Sequence, residues 1–99
     1  MKQRVYISGR MSGLLEEQIK ESFGFAELSL KESGYKVFNP ARWRWFLRFL
    51  PYKVALAFDI FMMCFCDSIY MLKGWSLSDG ATVEHRFACA TGMIILFEQ

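Results

Sequence analysis

Four short segments rich in β-branched and aromatic residues predict four β-strands. They cover residues 4–8, 35–38, 67–72 and 93–97. The last two segments are continuously apolar, as is typical of parallel strands that are covered on both faces. We therefore expect the strands to form a parallel sheet.

Apolar residues recur with a helical period between the first two strands. Ile19, Phe23, Ala26 and Leu30 follow one another at intervals of three and four residues, which predicts an amphipathic helix over residues 16–33. A strand, a helix and a strand in this order form a βαβ unit, in which the two strands are parallel and the crossover is right-handed.

The second predicted helix covers residues 51–66 and is apolar nearly all round. Pro51 suits its first turn, because the missing N–H costs nothing there. A helix with this pattern is buried on more than one side, and in so small a domain we expect a second subunit to cover the second side. The strongest apolar face consists of Val54, Phe58, Phe61, Met62 and Phe65.

The third predicted helix follows a turn at residues 74–80. Ser78 or Asp79 can cap its N-terminus, since a short side-chain oxygen accepts a free N–H of the first turn. Gly92 can end the helix in a left-handed conformation. At about 100° per residue, Glu84 falls within the apolar stripe of this helix and not opposite to it. The other members of the stripe are Gly80, Val83, Phe87, Ala90 and Thr91.

The order of these elements predicts one domain over residues 1–99. Strands alternate with helices, which indicates a small flavodoxin-like or Rossmann-like α/β sandwich of three layers, with a four-stranded parallel sheet and helices on both faces. Ligands in such folds bind outside the carboxyl ends of the strands. Residues 9–13, 39–42 and 74–80 come to that edge. Two glycines in residues 9–13 let a ligand approach the backbone, or simply turn the chain from strand to helix.

Two carboxylates stand at positions where ionised groups are rarely buried without a partner. Glu84 lies on the packing face of the last helix, and Asp59 lies inside the apolar helix before it. Each is either a functional group or one half of a local ion pair. The local partners are Arg86, Lys73 or a backbone N–H for Glu84, and Lys53 or an arginine of residues 42–48 for Asp59.

The composition limits the classes of partner. A net charge of +2 is too small to indicate a nucleic-acid-binding protein, and the basic residues Arg42, Arg44, Arg48 and Lys53 are interpreted as a solvated rim. The apolar fraction of 54% is high for a small domain and indicates an interface. We expect a homodimer or a higher homo-oligomer, with no nucleic acid and no membrane as partner.

The sequence predicts a cytoplasmic protein. Its first residues contain no apolar run long enough for a signal peptide. Asp59 and Asp67 interrupt the most apolar window, residues 54–72, which argues against a membrane-spanning helix. The cysteines lack the C-x-x-C spacing of a zinc or redox site and are expected to be reduced thiols. They are Cys64, Cys66 and Cys89.

Four stretches of the chain together carry a family resemblance. They are VYISGRMSG at 5–13, GYKVFNPA at 34–41, DIFMMCFCDSIYMLKGW at 59–75 and SDGATVEHRFACATG at 78–92. The combination resembles the nucleoside 2-deoxyribosyltransferase-like superfamily and, within it, a branch of small bacterial and phage proteins of unknown function. The resemblance extends over nearly the whole chain.

The resemblance implies catalytic residues. In the characterised enzymes, a glutamate on the helix after the third strand attacks the anomeric carbon of a 2-deoxyribonucleoside and expels the base, and Glu84 matches it. Asp59 matches an aspartate that orients the sugar or base. Ser78 stands where a further aspartate is expected, with Asp79 adjacent, so Asp59 and Asp79 are the candidates for protonating the leaving base. No cofactor and no metal are expected, since His85 is the only histidine.

The resemblance also implies substrate-binding residues. Tyr6 matches an aromatic residue of the first strand, and both Tyr6 and Trp75 are candidates for stacking on a nucleobase. Ser78 is a further candidate. The loop expected under the sugar is Gly9, Arg10, Met11, Ser12 and Gly13.

Three functions follow as hypotheses. The first is a nucleoside 2-deoxyribosyltransferase or deoxynucleoside N-glycosidase that acts through Glu84. The second is an N-hydrolase of 2-deoxynucleoside 5′-monophosphates, in which Arg10 and Ser12 donate to the phosphate. The third is a non-catalytic nucleotide-binding or accessory protein, which the aspartate missing at position 78 would favour.

Overall fold

The computed structural model describes residues 3–99 and contains the predicted parallel sheet. Its strands pair in parallel in the order β2-β1-β3-β4. β1 therefore stands where the strand order reverses. The chain passes from β1 to β2 on one side of it and then crosses back to β3 on the other side. The strands are β1 (Arg4–Ser8), β2 (Lys36–Phe38), β3 (Ser68–Met71) and β4 (Ile94–Phe97).

Four helices and two short 3₁₀ turns connect the strands. The helices are α1 (Glu16–Glu32), α2 (Arg44–Leu47), α3 (Tyr52–Met63) and α4 (Asp79–Thr91), and the turns are Pro40–Trp43 and Trp75–Leu77. The helix predicted over residues 51–66 ends early, because Phe65 and Cys66 donate to the carbonyls of Met62 and Met63 in tighter turns.

The helices cover both faces of the sheet, which confirms the three-layer α/β sandwich. Successive side chains of β1 point to opposite faces. Val5 and Ile7 pack against α1, in a core that includes Ile19 and Phe23. Tyr6 packs on the other face, in a core formed with residues of β3, α3 and α4.

The two ends of α4 match the prediction, but the buried face of the helix is rotated relative to the predicted apolar stripe. Ser78 caps the helix, accepting from the N–H of Ala81 at 3.2 Å, and Gly92 ends it with a left-handed φ of 76°. The predicted stripe was wrong in part, since Val83, Ala90 and Thr91 are exposed. The α4 residues that are buried are Ala81, Glu84 and Ala88, which share one face at helical spacing.

One apolar face of α3 has no cover within the described part of the chain. Val54 and Phe61 are seven residues apart on α3, so they share one side, and the ring of Phe65, in the turn after the helix, lies 5.3 Å from that of Phe61. These three residues are 50%, 60% and 55% exposed. Met63 is the buried residue of this helix. Among residues 3–99, no helix is both long enough and apolar enough to cross a membrane.

Candidate active site

A cavity of about 140 Å³ opens at the carboxyl end of β1, where the strand order reverses. This is the edge at which ligands bind in open α/β sheets. Its walls come from β1, the loop after it, α3 and the N-terminal half of α4. Polar and glycine residues of the lining include Tyr6, Gly9, Ser12, Arg44, Tyr52, Asp59, Ser78, Gly80 and Glu84.

Glu84 is held at the floor of this cavity by two hydroxyl groups of β1. Ser8 Oγ donates to Oε1 at 2.7 Å, and Tyr6 Oη donates to Oε2 at 3.1 Å. Tyr6 and Ser8 are two residues apart, so both point to the face of the sheet that α4 covers. Glu84 is 6% exposed. The local alternatives, a pair with Arg86 or Lys73 or a bond to a backbone N–H, do not occur within residues 3–99.

Asp59 reaches the same cavity from α3. Its Oδ1 atom is buried and has no hydrogen-bond partner among the described residues. The predicted alternative, an ion pair with Lys53 or with an arginine of residues 42–48, is wrong. The ion pairs of residues 3–99 are Lys31–Glu27, Arg42–Glu27 and Arg44–Glu16.

The pKa values of both carboxyl groups are raised, chiefly by burial. Burial, followed by the charge of Asp59, raises the pKa of Glu84 to about 8, against the opposing hydrogen bonds from Ser8 and Tyr6. Burial raises the pKa of Asp59 to about 6, against the opposing effect of hydrogen bonding to Glu84 and Tyr6. The pair therefore holds a single proton near neutral pH, shared between two coupled sites. It offers one carboxylic acid and one carboxylate in the same cavity.

Tyr6 contributes its hydroxyl group and not a free aromatic face. The residue is fully buried, and its ring stacks on Phe38 with centroids 5.6 Å apart and planes within 14°. Trp43 stacks in turn on Phe38 at 6.5 Å. Burial and the charge of Glu84 raise the pKa of the Tyr6 phenol well above its ordinary value, so it stays a donor. The prediction that Tyr6 stacks on a base is not supported by this packing.

The loop after β1 contributes three of its five predicted residues to the cavity. Gly9, Met11 and Ser12 line it. Arg10 and Gly13 do not line it. The side chain of Arg10 turns back, and its Nε donates to the carbonyl of Ser12 at 3.1 Å. Gly9 serves packing, since a Cβ there would lie 2.9 Å from the Cβ of Leu72.

Two other predicted site residues lie away from the cavity. Asp79 is exposed and is not part of the lining. It precedes Glu84 by five residues, about 140° around the helix, which turns it away. Trp75 stacks on His85 at 4.5 Å, beside the outer strand β4. Ser78 does line the cavity, but its hydroxyl oxygen is engaged in capping α4.

Residues 3–97 match the family described as "Domain of unknown function (DUF4406)". The match covers nearly the whole chain. The protein is a member of the DUF4406 family. No curated protein and no solved structure matches it.

Three polar residues in or beside this cavity were not predicted from the sequence. Ser8 contacts Glu84 directly, and its spacing of two from Tyr6 along β1 was the available signal. Tyr52 forms a wall over α4, with its hydroxyl 3.6 Å from where a Cβ of Gly80 would lie. The sequence analysis interpreted Arg44 as part of a solvated rim, and no signal in the neighbouring sequence indicated that it lines the cavity.

Proposed function

We propose that this chain is a nucleoside 2-deoxyribosyltransferase or a deoxynucleoside N-glycosidase, with Glu84 as nucleophile. The observation that carries the proposal is the meeting of Glu84 and Asp59 in one cavity, with no cation bound to either among residues 3–99. Carboxyl groups whose pKa values are shifted and which share a cavity are typical of functional sites. The family resemblance of the sequence supports the same assignment.

The pair supplies both groups that N-glycoside cleavage needs. The proton lies mainly on Glu84, whose pKa is the higher of the two, so it must first move to Asp59. The carboxylate of Glu84 then attacks the anomeric carbon and forms a C–O bond as the C–N bond breaks. The bonding electrons leave with the base nitrogen, which takes the proton from Asp59. The hydroxyls of Ser8 and Tyr6 favour the ionised form of Glu84 in this step. Water or a second base then accepts the sugar from Glu84.

The size of the cavity agrees with a sugar inside it and a base outside. About 140 Å³ is close to the roughly 150 Å³ of cavities that hold one benzene-sized ring. A whole nucleoside is larger, so its base extends past Tyr52, which is 57% exposed at the mouth. Asp59 lines the same cavity, so its carboxyl group is available as the proton donor to the leaving base.

The test is incubation with the common 2′-deoxynucleosides, with and without a second free base, followed by chromatography of the bases. We expect base release or exchange in the native protein. Asp59→Asn should lower the rate by about 10²–10⁴-fold, the range of general acid–base catalysis, and Glu84→Gln at least as much. Glu21→Gln, which removes an exposed carboxylate of α1, is the matched control and should leave the rate unchanged.

Two results would redirect the proposal. Full activity in the Glu84→Gln variant would rule out the nucleophile. Tight binding of a nucleoside or nucleotide without turnover over hours would favour the third hypothesis, a non-catalytic nucleotide-binding protein.

We also propose that the protein is a homodimer or larger homo-oligomer joined through the exposed apolar face of α3. Val54 and Phe61 line that face, and the ring of Phe65, in the turn after the helix, extends it at 5.3 Å from the ring of Phe61. A second copy offers the same apolar surface, as a twofold interface requires. Sedimentation velocity should give an oligomer for the native protein and a monomer for Phe61→Glu. A native monomer at micromolar concentration would contradict the proposal.

A cytoplasmic location is part of the same proposal. Cys64, Cys66 and Cys89 are free thiols, and free thiols persist in a reducing compartment.

A further inference from the structure

We propose that the surface formed by Trp45, Arg48 and Phe49, the aromatic–basic patch, binds the surface of a membrane that contains anionic lipids. This inference goes beyond the proposed function and does not depend on catalysis at Glu84. It differs from the expectation that no membrane is a partner and that the basic residues form a solvated rim. A protein that lies on one leaflet needs no helix that spans the bilayer.

Two large aromatic side chains at α2 point away from the core. Phe46 and Leu47 face inward, since Leu47 is buried and the ring of Phe46 meets that of Phe58 edge-on at 5.8 Å. Trp45 and Phe49 lie on the outer side and are 67% and 76% exposed. The short helix is therefore apolar on both sides, and the outer side does not contribute to the core. Exposed apolar side chains that lie together indicate an interaction surface.

A cation accompanies these two rings. The guanidinium carbon of Arg48 lies 5.0 Å from the centroid of the Phe49 ring. Arg48 and Trp45 line the same groove beside α1, and Arg48 makes no ion pair among residues 3–99. Aromatic rings beside arginine are typical of protein surfaces at the membrane interface. There the rings enter the boundary between headgroups and acyl chains, and the guanidinium group binds lipid phosphate.

The charge around the patch favours an anionic surface. No acidic residue occurs between Glu32 and Asp59, whereas five lysines and arginines do. The groove that contains Trp45 is lined by five cationic residues and two carboxylates, an excess greater than the net charge of +2 of the whole chain. A surface of one dominant sign attracts the opposite charge, and the cytoplasmic leaflet is the anionic one. The lining residues are Lys20, Lys31, Arg42, Arg44 and Arg48, with Glu16 and Glu27.

A lipid surface suits the patch better than a second copy or a nucleic acid. A twofold contact would place the cations of the patch against the same cations of the copy. Single-stranded nucleic acid needs free ring faces on which bases stack. One face of Phe49 is covered by the guanidinium group of Arg48, and the ring of Trp45 packs against Phe46 at 5.0 Å. A bilayer offers an apolar boundary for both rings and phosphate groups for the arginine.

The experiment measures cosedimentation of the protein with phosphatidylcholine vesicles, with and without about 30 mol% phosphatidylserine. We expect binding to be at least about tenfold tighter on the anionic vesicles, because several cations act together. Raising the salt to about 1 M, where the screening length is about 3 Å, should weaken this binding. Circular dichroism checks that each variant folds.

Matched variants assign the binding to the patch. Arg48→Gln should weaken binding about fivefold, the effect of one cation near an anionic leaflet, whereas Arg86→Gln, at an exposed position of α4, should leave it unchanged. Phe49→Ser should weaken binding at least about tenfold, because the ring no longer leaves water. Leu77→Ser is the matched control, since Leu77 is 73% exposed but lies outside the patch.

Tryptophan fluorescence locates the contact independently. Vesicles should shift the emission of the native protein to shorter wavelength, as the indole of Trp45 leaves water. Trp45→Phe keeps an aromatic ring, so it should retain most of the binding but lose most of the shift. Trp75→Phe is the control and should retain both, because Trp75 stacks on His85 beside β4.

Four results would overturn the inference. Equal binding to the two kinds of vesicle, or binding to neither, removes the anionic membrane as partner. Vesicle binding that survives in Phe49→Ser, or an emission shift that survives in Trp45→Phe, places the contact elsewhere. An oligomer that does not bind vesicles and dissociates in Phe49→Ser assigns the patch to a second copy. A single-stranded oligonucleotide that binds through the patch when vesicles do not assigns it to nucleic acid.

Discussion

Replacing Glu84 by glutamine should stabilise the protein, and the gain should grow with pH. Glutamine keeps the size of the side chain and an oxygen that can accept from Ser8, but it cannot ionise. Burial and the charge of Asp59 raise the pKa of Glu84 from 4.5 to about 8. Between these values the folded protein holds a proton that the unfolded chain has released. The stability of the native protein therefore falls as the pH rises through this range.

The size of the effect follows from the two pKa values. Each pKa unit corresponds to about 1.4 kcal/mol. With a pKa of 4.5 unfolded and about 8 folded, the ionisable group costs the native protein about 1 kcal/mol near pH 5 and about 4 kcal/mol near pH 8. The difference in free energy of unfolding between variant and native protein should thus widen by about 3 kcal/mol. For a domain of 99 residues this corresponds to at least about 10 °C in Tm.

The assay is urea denaturation followed by circular dichroism, at intervals between about pH 5 and about pH 8. Asp59, whose pKa is raised to about 6, also titrates in this window. The shifted pKa values of Glu27 and Tyr6 lie outside it, since that of Glu27 is lowered to about 2 and that of Tyr6 is raised above 10. Glu21→Gln, at an exposed position, should give a difference that does not change with pH. Asp59→Asn should weaken the pH dependence, because it removes the like charge. A constant difference between Glu84→Gln and native protein would refute the reasoning.

Two further predictions concern packing and ion pairing. Gly9→Ala should destabilise the fold by about 1–3 kcal/mol, because the new Cβ meets Leu72, whereas Gly24→Ala, in open space on α1, should be neutral or stabilising by urea denaturation; equal effects would contradict the close approach. Glu27→Gln should lower stability by about 1–3 kcal/mol at neutral pH, since Glu27 is 5% exposed and accepts from Arg42. The native contribution is present above pH 4.5 and lost as the pH falls towards about 2, so a stability gap between native and variant that persisted at that pH would show that the carboxylate is not its source.

The alternation of strands and helices could be predicted because it depends on patterns within short segments of the sequence. Apolar residues spaced by three and four positions in residues 16–33 can bury one stripe only as a helix, and continuous apolar segments flanked by such helices become parallel strands. The caps of α4 were equally local, since Ser78 and Gly92 act on backbone groups within a few residues of themselves. Glu84 and Asp59 could be singled out because a carboxylate on an apolar face is anomalous at the level of a single helix.

What surrounds those carboxylates is decided by the tertiary structure. Nothing in the sequence marks Ser8 as more than a strand residue. Its hydroxyl meets Glu84, 76 positions away in the sequence, because β1 and α4 pack together. Arg44 and Asp59 became neighbours of one cavity, although the sequence equally allowed them to be an ion pair. The rotation of α4 turned Asp79 to solvent and placed His85 of the same helix against Trp75. Side-chain partners across elements depend on helix rotation and strand order, which a periodic pattern determines only to within a residue or two.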